Sequence, residues 1–398
     1  MKVNAIETIR LGEFPNLLWV HVETDEGITG LGEVFFGAGA AEAHIHEFIA
    51  PYLLGKNPLL IDRHAKALVP YVGYIGSGAE MRGFSGVDIA LWDLWGQATN
   101  QPIHQLLGGA ARDEIRVYNT RAGYQYVRSD PNQGTHNFGL DSDEGPYEDL
   151  QWFLNDAGTL AQSLLEQGVT GMKIWPFDYA AEASNGTHIS AAELKKAIEP
   201  FEKIRAAVGD KMDIMCELHC MWNLTAAKKI ARALQPLEPF WYEDPMKMDN
   251  IRALKEFADS TPIPTTASET LGGRGQFREL MEARAAGVVM FDLSWVGGFS
   301  EARKICSMAE AFQLPVAPHD CTGPVLLTAS VHQSLNAPNA LIQEMVRAFY
   351  YGWYQELVTE LPPVENGMIR APAGPGLGTK LLPDVPKRKD ARIRRSEL

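Results

Sequence analysis

The sequence predicts an α/β protein in which a (β/α)8-type barrel follows a smaller α+β domain. Short apolar runs alternate with amphipathic helical stretches from Ile115 to about residue 345. This gives eight strand-like runs in about 230 residues, close to the size of such a barrel. The 398 residues also exceed one compact domain of about 150 residues. An open doubly wound sheet makes the same alternation and remains an alternative.

The first part of the chain has strands and then helices. Residues 17–36 alternate apolar and polar side chains on both sides of a hairpin turn at Asp25-Glu26-Gly27. From about residue 40 to 110 the apolar period is helical, and the last long helix should end near Asn100, just before Pro102. We therefore expect an α+β unit over roughly residues 1–112.

The barrel elements follow in order. The predicted strands are IRVYNT (115–120), VTGMKIW (169–175), DIMCEL (213–218), FWYED (240–244), PTTASE (264–269), VVMFDLS (288–294), PVAPHD (315–320) and ALIQEM (340–345). The predicted helices lie near 148–167, 190–208, 225–235, 249–258, 276–286, 300–312 and 324–336. Residues 128–147 are polar and glycine-rich, which indicates either a functional lid or a disordered loop. We expect the basic end of the chain to be a solvated tail.

Composition limits the class of protein. With 45% hydrophobic and 22% charged residues, a large core is expected, and disordered, collagen-like and disulfide-scaffold proteins are excluded. A net charge of −14 argues against nucleic acid or an anionic membrane as a partner. Four cysteines fit a reducing compartment. No signal peptide or membrane span is apparent, so we expect a cytoplasmic protein.

Polar side chains recur at the predicted C-terminal ends of consecutive strands. They are spaced by 23 to 27 residues, one strand and helix each time, and are Glu217, Glu243, Glu269, Asp292, His319 and Glu344. In a barrel, these ends meet at the rim where the loops build the active site. The pattern therefore predicts one shared site.

Three successive carboxylates predict a metal ion. Glu217, Glu243 and Glu269 would repel one another without a cation between them. Oxygen ligands without histidine or thiolate favour one Mg²⁺ per active site, with Mn²⁺ as the alternative. A zinc site at Cys216, His219 and Cys220 is disfavoured, because on an extended strand the cysteines face away from the histidine.

Other polar residues are candidates for proton transfer. Asp292 and His319 lie on neighbouring strands, where a hydrogen bond would fix the tautomer of the imidazole. His219 lies two residues after Glu217 and would share its face on a strand. Lys173 and Trp175 form a similar pair on the second strand. We expect His219 and His319 to flank a substrate from two sides.

The chain resembles the enolase superfamily, and within it the mandelate racemase subgroup that contains acid-sugar dehydratases. The segments SGVDIALWDLWGQATNQPIHQLLGG and GPGLG carry the resemblance. It implies a capping domain over 1–112, a catalytic barrel over 113–360 and a C-terminal segment, 361–398, that packs back on the cap. It also implies a homo-oligomer. For the site, it implies the same three metal ligands, the Asp292–His319 dyad, and Mg²⁺-assisted removal of a proton α to a carboxylate to give an enediolate.

Two departures from the family pattern refine the expected function. The family's Lys-x-Lys is here Lys173-Ile174-Trp175, and its first metal ligand, commonly Asp, is Glu217. Glu217-Leu218-His219 is similar to the Asp-x-His of galactonate and mannonate dehydratases. We therefore expect a two-histidine dehydratase of an aldonate or aldarate that makes a 2-keto-3-deoxy acid. One histidine would take the C2 proton, and the other, His319, would protonate the departing C3 hydroxyl.

Alternatives and specificity stay open at this point. A racemase or epimerase on the same scaffold, or an inactive sugar-acid-binding homologue, would carry the same motifs. Lys173 is assigned a catalytic or electrostatic role at the substrate carboxylate. Specificity is expected from loops of the N-terminal domain, namely Gly12 to Asn16, Phe35 to Gly37 and Tyr74 to Arg82. The predicted substrate-binding residues are Trp175, Glu344, Arg82 and Phe36.

Overall fold

The computed structural model of the chain describes residues 1–68, 78–128, 130–138, 140 and 145–398. Its strands are β1 (Val3–Leu11), β2 (Leu17–Thr24), β3 (Thr29–Phe35), β4 (Ile115–Thr120), β5 (Gly171–Ile174), β6 (Asp213–Glu217), β7 (Trp241–Glu243), β8 (Thr265–Ala267), β9 (Val288–Phe291), β10 (Val316–Pro318), β11 (Gln343–Met345), β12 (Val364–Glu365), β13 (Met368–Ile369) and β14 (Ala391–Glu397). Its α-helices are α1 (Ala38–His44), α2 (Ala50–Leu53), α3 (Ile61–Leu68), α4 (Ala79–Thr99), α5 (Ile103–Leu106), α6 (Asp149–Glu166), α7 (Asp178–Ser184), α8 (Ala191–Val208), α9 (Leu224–Leu234), α10 (Ile251–Ala258), α11 (Gly273–Glu282), α12 (Leu293–Val296), α13 (Gly298–Ala311), α14 (Pro324–Asn336) and α15 (Arg347–Tyr350).

The N-terminal sheet has four antiparallel strands in the order β14-β1-β2-β3. Strand β14 comes from the end of the chain and pairs with β1 from Ala5–Glu397 to Leu11–Ala391. The prediction of a solvated basic tail is therefore wrong. Its side chains are largely exposed, which explains the polar composition, but its backbone is held by the hydrogen bonds of the sheet. The domain boundaries proposed from the sequence stay a prediction.

Helix α4 packs so closely on β3 that two positions of the strand require glycine. A Cβ atom on Gly30 would lie 2.0 Å from the carbonyl oxygen of Ala90, and one on Gly32 would lie 1.9 Å from that of Gly86. Neither distance is possible for a side chain, so the strand can only bear glycine there. The helix ends at Thr99, in agreement with the predicted stop near Asn100.

The second sheet closes into a barrel. Strands β4 to β10 pair in parallel in chain order, and β11 pairs in parallel with β4. A parallel bridge between Val316 and Ala340 joins β10 to the residues just before β11. Eight parallel strands thus form a ring, which confirms the barrel over the open sheet. In the β12–β13 hairpin, β13 pairs antiparallel with the first two residues of β4, Ile115 and Arg116.

The helices follow the predicted order with local differences. Residues 178–208 form two helices, α7 and α8, where the sequence predicts one from residue 190. The helix predicted at 276–286 begins at Gly273 and ends at Glu282. Only the four-residue α15 directly follows β11, which is the eighth strand of the barrel. Among the described residues, none of the helices combines the length and apolar composition needed to cross a membrane.

The N-terminal domain covers the mouth of the barrel, at the carboxyl ends of the strands. The indole nitrogen of Trp295, just after β9, donates to the carbonyl oxygen of Phe35 at 3.0 Å. The carboxylate of Glu33 accepts from the backbone N–H of Leu326 at 3.0 Å, in the first turn of α14. These contacts hold β3 over the barrel strands whose C-terminal ends carry the predicted polar side chains.

A buried histidine is expected to make the fold sensitive to acid. His332 on α14 is fully buried. Its Nε2 lies 3.1 Å from the carbonyl oxygen of Leu377, and its Nδ1 lies 2.9 Å from Nδ1 of His104. Burial lowers its pKa to about 3. As the pH is lowered, the unfolded chain therefore binds a proton before the folded chain does. The free energy of unfolding should fall as the pH is lowered from about 6.5 to about 3, by up to about 1.4 kcal/mol per pH unit.

Denaturation at a series of pH values measures this effect. His332→Gln keeps a donor for Leu377 but does not titrate, so its free energy of unfolding should depend less on pH over that range. His188→Gln, at an exposed position, is the matched control and should keep the wild-type slope. An unchanged slope in His332→Gln would show that this imidazole is not the acid-sensitive group.

Candidate active site

Three glutamates meet at the mouth of the barrel. Glu217 and Glu243 are the last residues of β6 and β7 and lie opposite each other in the sheet register. Glu269 follows the end of β8 by two residues. Each of the three offers one carboxylate oxygen, and these oxygens lie within 4.8 Å of one another. The parallel strands therefore place the three acids around one point.

Lys173 lies in the centre of the acidic cluster. Its side chain on β5 is 3% exposed, and its Nζ lies 3.3 Å from Glu217 and 2.8 Å from Glu344 and also contacts Glu243. The nearby carboxylates outweigh burial and raise the pKa of Lys173, so the ammonium is charged. One cation thus faces three buried carboxylates, and Glu269 remains outside these contacts.

The donor set fits a hard divalent cation. Burial, with the negative charge of Glu217, raises the pKa values of Glu243 and Glu269. Oε2 of Glu269 is buried and has no hydrogen-bond partner among the described residues. A cation between these oxygens would lower both pKa values again and pair with the free oxygen. Carboxylate oxygens alone are typical ligands of Mg²⁺ or Mn²⁺.

A first aspartate–histidine pair lies beside these glutamates. Asp292 directly follows β9 and His319 directly follows β10, and Nδ1 of His319 lies 2.8 Å from Oδ2 of Asp292. The other oxygen of Asp292 accepts from the backbone and the hydroxyl of Ser294, both at 2.7 Å. Nε2 of His319 lies 3.7 Å from Glu269. Burial lowers the pKa of His319, but the charge of Glu269 and other nearby carboxylates outweighs burial and raises it to about 10.

His219 reaches the site through a turn rather than along a strand. Strand β6 ends at Glu217, and His219 has a φ of 49°. The backbone N–H groups of Leu218 and His219 donate to Oε1 of Glu217 at 2.9 and 2.6 Å, which holds the turn. The sequence argument that His219 shares a strand face with Glu217 is therefore wrong, although both residues line one cavity.

A second aspartate holds His219, and the sequence did not indicate it. Nδ1 of His219 lies 2.9 Å from Oδ2 of Asp178, the first residue of α7. The ring of Trp175 lies 5.5 Å from the imidazole, centroid to centroid. Burial lowers the pKa of His219, but the charges of Asp178 and Glu217 outweigh burial and raise this pKa to about 9.

The cavity between the two histidines is lined by charged, aromatic and uncharged side chains. Its charged wall residues are Lys173, Glu217, His219, Glu269 and His319. Its other wall residues are Phe35, Phe36, Thr120, Tyr126, Gln133, Trp175, Trp295 and Cys321. The cavity volume of about 40 Å³ is small beside the several hundred Å³ of typical ligand sites.

Of the predicted substrate-binding residues, Trp175 and Phe36 line the cavity, and the other two lie behind its wall. Arg82 stacks on Trp295, with the guanidinium carbon 4.5 Å from the ring centroid. Glu344 accepts from the backbone N–H of Asp320 at 2.9 Å and contacts Lys173. Their roles in binding stay predictions.

The predicted specificity loops are only partly visible. Residues 74–77 of the Tyr74 to Arg82 segment lie outside the described residues. In the first loop, the side-chain amide of Asn16 donates to the carbonyl oxygen of Asp130 at 3.2 Å, which links it to the 128–147 segment. Gln133 from this segment and Tyr126, two residues before it, line the cavity. Only the place of Gln133 in a polar loop could have indicated it.

The cysteines do not form a metal site within the described part of the chain. The group of acidic, histidine and cysteine side chains found there that could hold an ion consists of the three glutamates. Cys216 is buried, whereas Cys220 has a φ of 57° and lies in the turn after β6. A zinc site built on this pair has no support.

Comparison with known families matches both parts of the chain. The family model described as "Enolase C-terminal domain-like" matches residues 156–385. The model described as "Mandelate racemase / muconate lactonizing enzyme, N-terminal domain" matches residues 10–108.

Individual relatives span nearly the whole chain. A crystal structure of an enolase of the mandelate racemase subgroup from Agrobacterium tumefaciens is 56% identical, with a TM-score of 0.89, and covers 100% of this chain and 99% of its own. D-galactonate dehydratase from Variovorax paradoxus is 31% identical over 96% of this chain and 92% of its own. D-xylonate dehydratase from Haloferax volcanii is 31% identical over 93% of this chain and 84% of its own.

Proposed function

Because the chain belongs to the mandelate racemase / muconate lactonizing enzyme family of the enolase superfamily, we propose that it is a Mg²⁺-dependent sugar-acid dehydratase, a hydro-lyase. The observation that carries the proposal is that two histidines, each bound to an aspartate through Nδ1, line one cavity with two of the three glutamates. This arrangement offers two proton-transfer groups beside a site for a substrate carboxylate.

The residues divide the reaction between them. One imidazole removes the C2 proton, and the other, His319, protonates the departing C3 hydroxyl, which leaves as water. The resulting enol tautomerises to a 2-keto-3-deoxy acid. Oriented acid–base groups of this kind contribute about 10²- to 10⁴-fold to a rate. Lys173 provides positive charge on the side where the substrate carboxylate would bind.

The proposal assigns the metal to Glu217, Glu243 and Glu269. Bound there, Mg²⁺ would supply positive charge next to the carboxylate oxygens on which negative charge develops when the C2 proton leaves. Oε2 of Glu269, which is buried without a hydrogen-bond partner among the described residues, supports this assignment.

The charge of the cavity favours an aldonate over an aldarate. In the described part of the wall, the basic residues are Lys173, His219 and His319, and the wall also holds Glu217 and Glu269. The other described wall residues are aromatic or uncharged. The residues outside the described ranges contain no Lys, Arg or His, so they bring no cation of their own. A second carboxylate would therefore meet no further cation on the described wall, since Arg82 lies behind Trp295, and its burial would be costly.

Turnover of a sugar-acid panel tests the proposal. With Mg²⁺, one or more aldonic acids should yield a 2-keto-3-deoxy acid, measured as its semicarbazone. Removal of the metal with EDTA should lower the rate by at least about 100-fold, and Mg²⁺ should restore it. Matched aldaric acids of the same configuration should react much more slowly.

Other outcomes would contradict the proposal in distinct ways. Solvent deuterium at C2 with formation of the epimer, and no keto acid, would identify a racemase or epimerase. Tight binding of Mg²⁺ and of an aldonate without any turnover would identify a binding homologue. Equal rates with aldaric acids would overturn only the argument from cavity charge.

A further inference from the structure

Asp178 is a buried carboxylate to which the steps above give no role. It is 6% exposed and begins α7, after β5, rather than lying on the segment that carries His219. Its Oδ2 lies 2.9 Å from Nδ1 of His219. Its Oδ1 is buried and has no hydrogen-bond partner within the described ranges. Desolvating a carboxylate in this way is costly unless its contact with the imidazole compensates.

The contact repeats the geometry of the other pair. Asp292 follows β9 and binds Nδ1 of His319 after the next strand, β10, at 2.8 Å. Asp178 follows β5 and binds Nδ1 of His219 after the next strand, β6. In both cases the preceding strand–helix unit supplies the carboxylate. Both rings line the cavity.

We propose that Asp178 and His219 form a second aspartate–histidine dyad, in which Asp178 is a positioning residue that sets the tautomer and orientation of His219. An acceptor at Nδ1 keeps a proton on that nitrogen in both protonation states of the ring, so Nε2 is the nitrogen that exchanges a proton with the substrate. The Trp175 ring, 5.5 Å away, packs beside the imidazole and limits its rotation. The inference rests on the proposed function only for its kinetic test.

The kinetic test uses Asp178→Asn, which keeps the shape and removes the charge. We expect kcat to fall by about 10- to 100-fold and KM to change by less than about threefold. If Asp178 acts through His219, Asp178→Asn/His219→Asn should be no slower than His219→Asn alone. A purely structural role would instead multiply the two losses. Asp210→Asn, the same change at an exposed position before β6, is the matched control and should retain wild-type kcat.

A spectroscopic test does not depend on turnover. In ¹⁵N-histidine spectra of the wild-type protein, recorded above pH 9 so that the ring is neutral and assigned with His219→Asn, Nδ1 of His219 should carry the proton and Nε2 should not. In Asp178→Asn the His219 signals should shift, and those of His319 should stay. A wild-type Nδ1 without a proton, or multiplicative losses in the double variant, would overturn the dyad. Absence of turnover in the wild type with a protonated Nδ1 would overturn the proposed reaction and leave the dyad standing.

Discussion

Replacement of His319 by asparagine is expected to lower kcat by about 10³- to 10⁴-fold while the protein stays folded and binds Mg²⁺. The substitution removes the imidazole whose Nδ1 lies 2.8 Å from Asp292, and with it the group that protonates the leaving hydroxyl. The three glutamates remain in place. Keto-acid formation measures the loss, and calorimetric titration with Mg²⁺ checks that the metal site is intact.

Isotope exchange then separates the role of His319 from that of His219. If His319 is the acid at C3, His319→Asn should still exchange the C2 proton with D₂O, whereas His219→Asn should not. His188→Asn, at an exposed position, should match the wild type in both assays. The assignment fails if His319→Asn keeps more than a tenth of the wild-type rate, or if it loses exchange while His219→Asn retains it.

The barrel and its acidic cluster could be predicted because one regular spacing determines both. In a closed ring of parallel strands, residues one strand–helix unit apart come to the same rim. Glu217 and Glu243 are therefore neighbours in the sheet register, as their separation of 26 residues indicates. The alternation also predicted the order of helices, although local turns shifted their ends.

The remaining features depend on contacts that no period in the sequence encodes. His219 reaches the cavity through a turn after β6. In this turn the carboxylate of Glu217 accepts hydrogen bonds from the backbone N–H groups of Leu218 and His219. Asp178 begins α7, a helix that the sequence analysis did not predict, so neither spacing nor strand alternation indicated it. The basic end of the chain was misjudged because an edge strand with exposed side chains has the composition of a solvated tail.

Replacement of Lys173 by methionine is expected to lower both stability and turnover. The variant would leave Glu217, Glu243 and Glu344 buried together without the ammonium that contacts all three. Removing one partner of a buried ion pair costs about 3–5 kcal/mol. Loss of a cation beside the developing negative charge should lower kcat/KM by about 10²- to 10³-fold. Denaturation without metal and steady-state kinetics with Mg²⁺ measure the two effects.

The response of this variant to Mg²⁺ tells how the cluster is neutralised. A divalent cation held by Glu217 and Glu243 would replace part of the missing charge, so Mg²⁺ should raise the melting temperature more in Lys173→Met than in the wild type. Lys228→Met breaks a single exposed pair with Glu256 and should cost less than about 1 kcal/mol, with or without Mg²⁺. If Mg²⁺ stabilises Lys173→Met no more than the wild type, the lysine and the metal do not share these carboxylates. The glutamates would then be a lysine-neutralised structural cluster, and the metal would have to bind elsewhere.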